Sequence, residues 1–108
     1  MEVYNQLGYG FLEIVYKDAM ELEFLARGIP FQRESRYQVI YKGQVLQHVF
    51  VTDFTLFDRI IVEVKSAREG IHPAMQAQLL NYLKSSTLRL GLIINFGKTS
   101  LEYQRFVL

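Results

Sequence analysis

Three charged side chains in a short apolar stretch are the residues of this sequence best suited to chemistry. Residues 53–65 read DFTLFDRIIVEVK, which predicts two strands joined by a tight turn at 58–59. Asp53 begins the first strand, and Glu63 and Lys65 lie near the end of the second. Because side chains alternate along a strand, Glu63 and Lys65 share one face. If Asp53 lies on the neighbouring antiparallel strand, two carboxylates and an ammonium group converge.

Such a group of charges has two interpretations. Mg²⁺ is commonly held by one or two carboxylates together with substrate phosphate oxygens. The ion can activate water and offset the charge on a phosphodiester, while Lys65 positions that water or stabilises the transition state. Alternatively, Asp53 only ends a strand, and Glu63 with Lys65 forms a same-face ion pair worth about 0.2–1 kcal/mol.

The clearest helix of the sequence runs from Phe11 to Arg27. Its apolar residues recur at three- and four-residue spacing, proline is absent, and Gly28 is placed to end it. Glu13 falls in the first turn. An acid there is favoured by the helix dipole and would have Lys17 as a partner four residues on, so this segment alone assigns Glu13 no catalytic role.

A second helix is predicted from Ala74 to Lys84, after a break in the strand pattern. Gln78 and Tyr82 lie four residues apart on one face of it. They are either part of the helix surface or face the charged group, where a glutamine can hydrogen-bond a water or phosphate and a tyrosine can stack or donate.

Strands account for most of the remaining chain. Residues 30–57 predict strands with a hairpin turn at 42–43, and Leu88–Phe96 and Leu101–Leu108 predict two more. The helix between Ile60–Lys65 and Leu88–Phe96 indicates that these two strands run parallel in an otherwise antiparallel sheet. The charged run at 33–36 is a solvated edge or a contact to a phosphate backbone. The fold class is therefore mixed α/β.

Composition limits the other possibilities. With 108 residues, half of them hydrophobic, the chain predicts a single domain over 1–108. The absence of cysteine excludes disulfides and thiolate zinc sites, and no apolar run approaches a membrane span. We expect a soluble cytoplasmic protein with no membrane association. The net charge of +1 does not indicate a protein that coats nucleic acid. Residues 1–7 resemble the end of a helix, so either the N-terminal helix is truncated or this short segment docks on the fold as it stands.

Five motifs, in order, resemble the GxxExxY protein family, which is grouped with the PD-(D/E)XK nuclease-like superfamily. They are GFLEIVY at 10–16, Asp53, EVK at 63–65, AQLLNYL at 77–83 and GLIINFG at 91–97. The resemblance covers nearly the whole chain. It implies a restriction-endonuclease-like core: a four-stranded, mixed and mostly antiparallel sheet flanked by helices.

The resemblance also implies roles for individual residues. Asp53 and Glu63 would bind Mg²⁺ or Mn²⁺, with Glu13 as an additional acidic ligand, and Lys65 would assist the attacking water. Gln78 and Tyr82 resemble a supporting Gln-x-x-x-Tyr element. Members often have histidine at the position of Met75, so any role of that histidine is absent here.

The resemblance therefore implies a metal-dependent nuclease acting on nucleic acid, with DNA as the expected polymer. The alternative is a catalytically inactive module of the same fold that binds nucleic acid or a protein partner, because a fold does not by itself establish an activity. A homodimer or another partner protein could also complete the substrate-binding surface.

Overall fold

A computed structural model describes residues 1–108 as three helices and seven strands. The helices are α1 (Glu2–Leu7), α2 (Glu13–Ala26) and α3 (Pro73–Ser86). The strands are β1 (Phe31–Arg33), β2 (Arg36–Tyr41), β3 (Gln44–Val51), β4 (Phe54–Leu56), β5 (Ile60–Lys65), β6 (Leu90–Asn95) and β7 (Glu102–Val107). None of the helices is long and apolar enough to cross a membrane.

Five strands form the main sheet in the order β1-β4-β5-β6-β7, with β5 in the middle. The pair β5 and β6 is parallel and joined by α3, whereas the other neighbouring pairs are antiparallel. This confirms the mixed, mostly antiparallel sheet, although it has five strands instead of four. The turn between β4 and β5 is centred one residue earlier than predicted, because Phe57 and Asp58 adopt φ values of 55° and 53°.

The helices cover opposite faces of this sheet, so the core has two parts. On one face, α1 and α2 pack against Phe54, Val62, Val64 and Phe96. On the other face, α3 packs against Ile61 and Ile93 through leucine side chains and Tyr82. Alternation along β5 therefore directs its two valines toward α2 and its odd-numbered residues toward α3.

Strands β2 and β3 form a separate two-stranded sheet. In the chain β1 leads into β2 and β3 leads into β4, so the β2–β3 pair extends the β1–β4 pair beyond a kink. At the kink, Glu34 has φ 58° and its N–H donates to the carbonyl of Asp53 at 2.8 Å. The N–H of Thr52 then donates to the carbonyl of Ser35 at 2.9 Å. Asp53 consequently lies where this long hairpin leaves the main sheet.

The start of α2 is fixed by Tyr16. This fully buried ring stacks on Phe96 with 4.1 Å between the ring centroids. Its hydroxyl donates to the carbonyl of Gly8 at 2.7 Å and accepts from the N–H of Phe11 at 3.1 Å. The loop before α2 is therefore tied to the helix, and Glu13 becomes the first helical residue.

Candidate active site

Asp53 and Glu63 are linked to each other at the end of the β4–β5 hairpin. The N–H of Asp53 donates to Oε1 of Glu63 at 3.0 Å, and the N–H of Val64 donates to Oδ2 of Asp53 at 2.7 Å. The last backbone pair of the two strands is Phe54 with Val62. Beyond it, the two carboxylates accept hydrogen bonds from the diverging strands, so the sheet can open there without leaving these N–H groups unpaired.

The Glu63 carboxyl carries the strongest electrostatic perturbation of the site. Its residue is only 4% exposed. Burial, followed by the negative charge of Asp53, raises the pKa of Glu63 to about 8, although the Asp53 N–H and the positive charge of Lys65 act in the opposite direction. Two acids thus lie together in a water-poor space, which favours the protonated form of Glu63.

Lys65 lies on the same strand and the same sheet face as Glu63. Its ammonium is 3.4 Å from Oε1 of Gln78 on α3. The structure therefore brings together Lys65 and Gln78, and it directs both toward the end of the hairpin where the acids lie. In this position Lys65 remains partly open to solvent, so its ammonium can reach a substrate.

Tyr82 lies one turn beyond Gln78, and only 6% of the residue is exposed. Its ring packs edge-on against Phe50 with 5.4 Å between centroids. Burial and the charges of Glu63 and Asp53 raise the pKa of Tyr82 to about 12, while the hydrogen bond from Gln78 lowers it. The phenol therefore remains protonated at neutral pH, where it can donate a hydrogen bond but cannot act as a base.

Glu13 stands apart from the other candidate residues. It is exposed, and it makes no hydrogen bond or ion pair with Asp53, Glu63 or Lys65. Instead it lines a surface groove of about 650 Å³ at the start of α2, together with Ser66 and Arg68, which follow Lys65 in the chain.

The loop that follows Lys65 is held by Asn95, a fully buried residue at the end of β6. Oδ1 of Asn95 accepts from the N–H of Ala67 at 2.8 Å, and Nδ2 donates to the carbonyl of Ala67 at 2.9 Å. Nδ2 also donates to Glu102 at 3.2 Å. This hydrogen bond, followed by one from the N–H of Ile71, lowers the pKa of Glu102. The loop and the end of β5 are thereby fixed to the sheet.

Lys17 is the residue near the site that sequence reasoning misplaced. Its ammonium lies 3.1 Å from Oδ1 of Asp53 and 3.7 Å from Oε1 of Glu34, and does not pair with Glu13. A signal was present in the helical periodicity, because Lys17 precedes Met20 by three residues and Phe24 by seven, and both are buried. A lysine on that inner face needs a buried acidic partner.

The donor set fits a hard divalent cation, although not the three-carboxylate form that includes Glu13. No three acidic or histidine side chains approach closely enough to hold a metal ion together. Asp53 and Glu63 nevertheless supply carboxylate oxygens at one place. Burial, and then the charge of Asp53, raise the pKa of Glu63, and a bound cation would favour its ionised form. Two carboxylates are sufficient when substrate oxygens complete the coordination of Mg²⁺.

Comparisons with known proteins identify the superfamily and the fold of the chain. The sequence model of the PD-(D/E)XK nuclease superfamily matches residues 1–106. Among solved structures, the crystal structure of SSO0001 superposes with a TM-score of 0.67 at 15% sequence identity, covering 86% of this chain. The chain spans 48% of the length of SSO0001, and at this identity the likeness concerns the fold alone. No curated protein sequence matches the chain.

Proposed function

Because the chain belongs to the PD-(D/E)XK nuclease superfamily, we propose that it is a divalent-metal-dependent nuclease that hydrolyses phosphodiester bonds of nucleic acid, with DNA as the expected polymer. The observation that carries the proposal is the direct linkage of Asp53 and Glu63 at the end of the hairpin, with Lys65 on the same sheet face. Burial, followed by the negative charge of Asp53, raises the pKa of Glu63, and acids perturbed in this way are common at functional sites.

Each residue has a role that follows from its position. Asp53 and Glu63 would hold Mg²⁺ or Mn²⁺, which when bound supplies Lewis-acid stabilisation of phosphate charge and lowers the pKa of water. Lys65 would orient water or donate to a phosphate oxygen, and Gln78 would keep its ammonium in place through the 3.4 Å contact. Tyr82 would donate a hydrogen bond from its protonated hydroxyl.

We further propose that the chain is a member of the narrower GxxExxY family. The spacing of Gly10, Glu13 and Tyr16 supports this assignment, because the residues at these positions shape the loop before α2 and the first turn of α2. Gly10 has φ 96° and its N–H donates to the carbonyl of Phe96, while Tyr16 ties down the same loop. Glu13 then opens α2 on the groove beside Ser66, and any role of Glu13 at the metal would be through water.

The proposal is tested by cleavage of labelled single- and double-stranded DNA and RNA with Mg²⁺ or Mn²⁺. Lys65→Met keeps the aliphatic stem and removes the ammonium, and we expect it to lower the cleavage rate about 100-fold or more. Lys84→Met is the matched control, because Lys84 is exposed in the last turn of α3 and forms no ion pair. Cleavage that survives in EDTA, or that Lys65→Met leaves unchanged, refutes the proposed mechanism.

A binding module is the second candidate, and the separation of Glu13 from Asp53 and Glu63 is the observation that favours it. Such a module would bind nucleic acid or a protein partner, including a second copy of the chain, equally well in EDTA and in Mg²⁺. It would also release no cleaved product with any of the four substrates. A gel-shift experiment on the same labelled substrates, read together with the cleavage assay, therefore separates a nuclease from a module that only binds nucleic acid.

A further inference from the structure

The ammonium group of Lys17 contacts one of the two carboxylate oxygens of Asp53, the residue at which we place the metal ion. Its ammonium lies 3.1 Å from Oδ1, while Oδ2 of the same carboxylate accepts from the N–H of Val64 at 2.7 Å. The Lys17 side chain is only 13% exposed, so the pair is largely shielded from solvent. Both oxygens of Asp53 therefore have a partner before any cation binds.

An ammonium group and a divalent cation cannot share this place without repulsion. At a separation of a few ångströms in a partly buried site, solvent screens like charges only weakly, so they repel each other. An ionised carboxylate has about four lone-pair directions, so Asp53 can accept both a backbone N–H and a cation. The difficulty is thus the charge of Lys17 and not a shortage of acceptor capacity.

Glu34 provides a second partner for the same ammonium. Its Oε1 lies 3.7 Å from Nζ of Lys17, and Glu34, with φ 58°, is the residue at which the hairpin leaves the main sheet. The Glu34 side chain is 60% exposed and makes no other ion pair, so it is free to follow the lysine. A small movement of the flexible lysine stem would exchange one carboxylate for the other.

We propose that Lys17 balances the charge of Asp53 in the metal-free protein and turns to Glu34 when a divalent cation binds Asp53. The inference rests on the proposed metal site and adds a positioning residue to it. Removing the ammonium group should therefore change the stability of the metal-free protein and its affinity for the cation in opposite directions. The metal-free protein loses the counter-charge of a partly buried carboxylate and becomes less stable, whereas the cation no longer competes and binds more tightly.

The experiment measures Mn²⁺ binding by calorimetry and thermal unfolding in EDTA for the wild type, Lys17→Met, Glu34→Gln and the control Lys84→Met. We expect Lys17→Met to lower the unfolding temperature in EDTA and to tighten Mn²⁺ binding about tenfold. Glu34→Gln should weaken Mn²⁺ binding several-fold, by about 1 kcal/mol or less, with little change in EDTA. Lys84→Met should change neither quantity.

Several outcomes overturn the inference. Equal or weaker Mn²⁺ binding by Lys17→Met, with metal-dependent cleavage intact in the wild type, rejects the role of Lys17 and leaves the proposed function standing. Absence of Mn²⁺ binding in all four proteins rejects both. If Lys17→Met does not fold, Glu34→Gln decides alone: unchanged Mn²⁺ affinity in that variant rejects the exchange of partners, and weakened affinity supports it.

Discussion

Replacing Glu63 by glutamine should remove most of the pH dependence of folding at neutral and mildly alkaline pH. The buried carboxyl has a pKa of about 8 in the folded chain, against an ordinary value of 4.5. Between these values the folded state keeps a proton that the unfolded state has released. The contribution of Glu63 to the free energy of unfolding is therefore fully retained below pH 4.5 and is lost as the pH rises to about 8.

The size of the effect follows from this difference. A gap of about 3.5 pH units, at about 1.36 kcal/mol each, amounts to roughly 5 kcal/mol at pH 8 and above. Small domains are stable by about 5–15 kcal/mol in total. Glutamine keeps an oxygen that can accept the Asp53 N–H and cannot ionise, so Glu63→Gln should match the wild type near pH 4.5 and exceed its stability at pH 8.

The assay is urea unfolding from pH 4 to pH 9 in EDTA, with Glu69→Gln as the control because Glu69 is exposed and makes no side-chain bond. Excess Mg²⁺ or Mn²⁺ at pH 8 should then stabilise the wild type and leave Glu63→Gln nearly unchanged. Parallel stability curves for the wild type and Glu63→Gln across the whole pH range would refute the reasoning.

Three further substitutions test how the site is supported. Gly97→Ala should destabilise the fold by about 3 kcal/mol or more, because the added Cβ would overlap backbone atoms of Ala67. An unfolding midpoint like that of the wild type would contradict this expectation. Tyr16→Phe keeps the stacked ring and loses two hydrogen bonds of the loop before α2, so we expect about 1–3 kcal/mol of destabilisation and faster amide exchange at Phe11; unaltered exchange argues against the tie. Arg33→Met removes ion pairs of 2.8 and 2.9 Å to Asp18 and Glu21 of α2. We expect it to lower the free energy of unfolding by about 1–2 kcal/mol. A decrease of less than about 0.5 kcal/mol in chemical unfolding would contradict this.

The strands that carry the candidate site could be predicted from the sequence because local patterns determine them. The apolar run Ile60–Val62, continued by Val64, indicates a buried central strand, and β5 is the middle strand of the sheet. The helix between β5 and β6 predicts their parallel pairing, which the structure confirms. Alternation with a period of two does not depend on the rest of the fold, so it correctly assigned the faces of β5.

Features that depend on distant contacts could not be predicted in the same way. The departure of β2 and β3 into a second sheet occurs at Glu34, which takes a left-handed backbone conformation that glycine or asparagine would have signalled. The pairing of Lys17 with Asp53 joins residues 36 positions apart, and helix geometry alone offered Glu13 as the nearer partner. The separation of Glu13 from the acids depends on how α2 is placed over the sheet.

The hydrogen bonds across the end of the β4–β5 hairpin affect which residues such a domain would keep in a lineage without catalysis. Asp53 and Glu63 each accept an N–H from the other strand, so losing either acceptor would leave a partly buried donor unpaired, at about 1–3 kcal/mol. Selection for folding alone would therefore preserve acceptors at both positions in a lineage without catalysis. Lys65, whose ammonium contacts only Gln78, has no comparable structural duty. Drift at position 65 among relatives, rather than at 53 or 63, would be the first trace of lost activity.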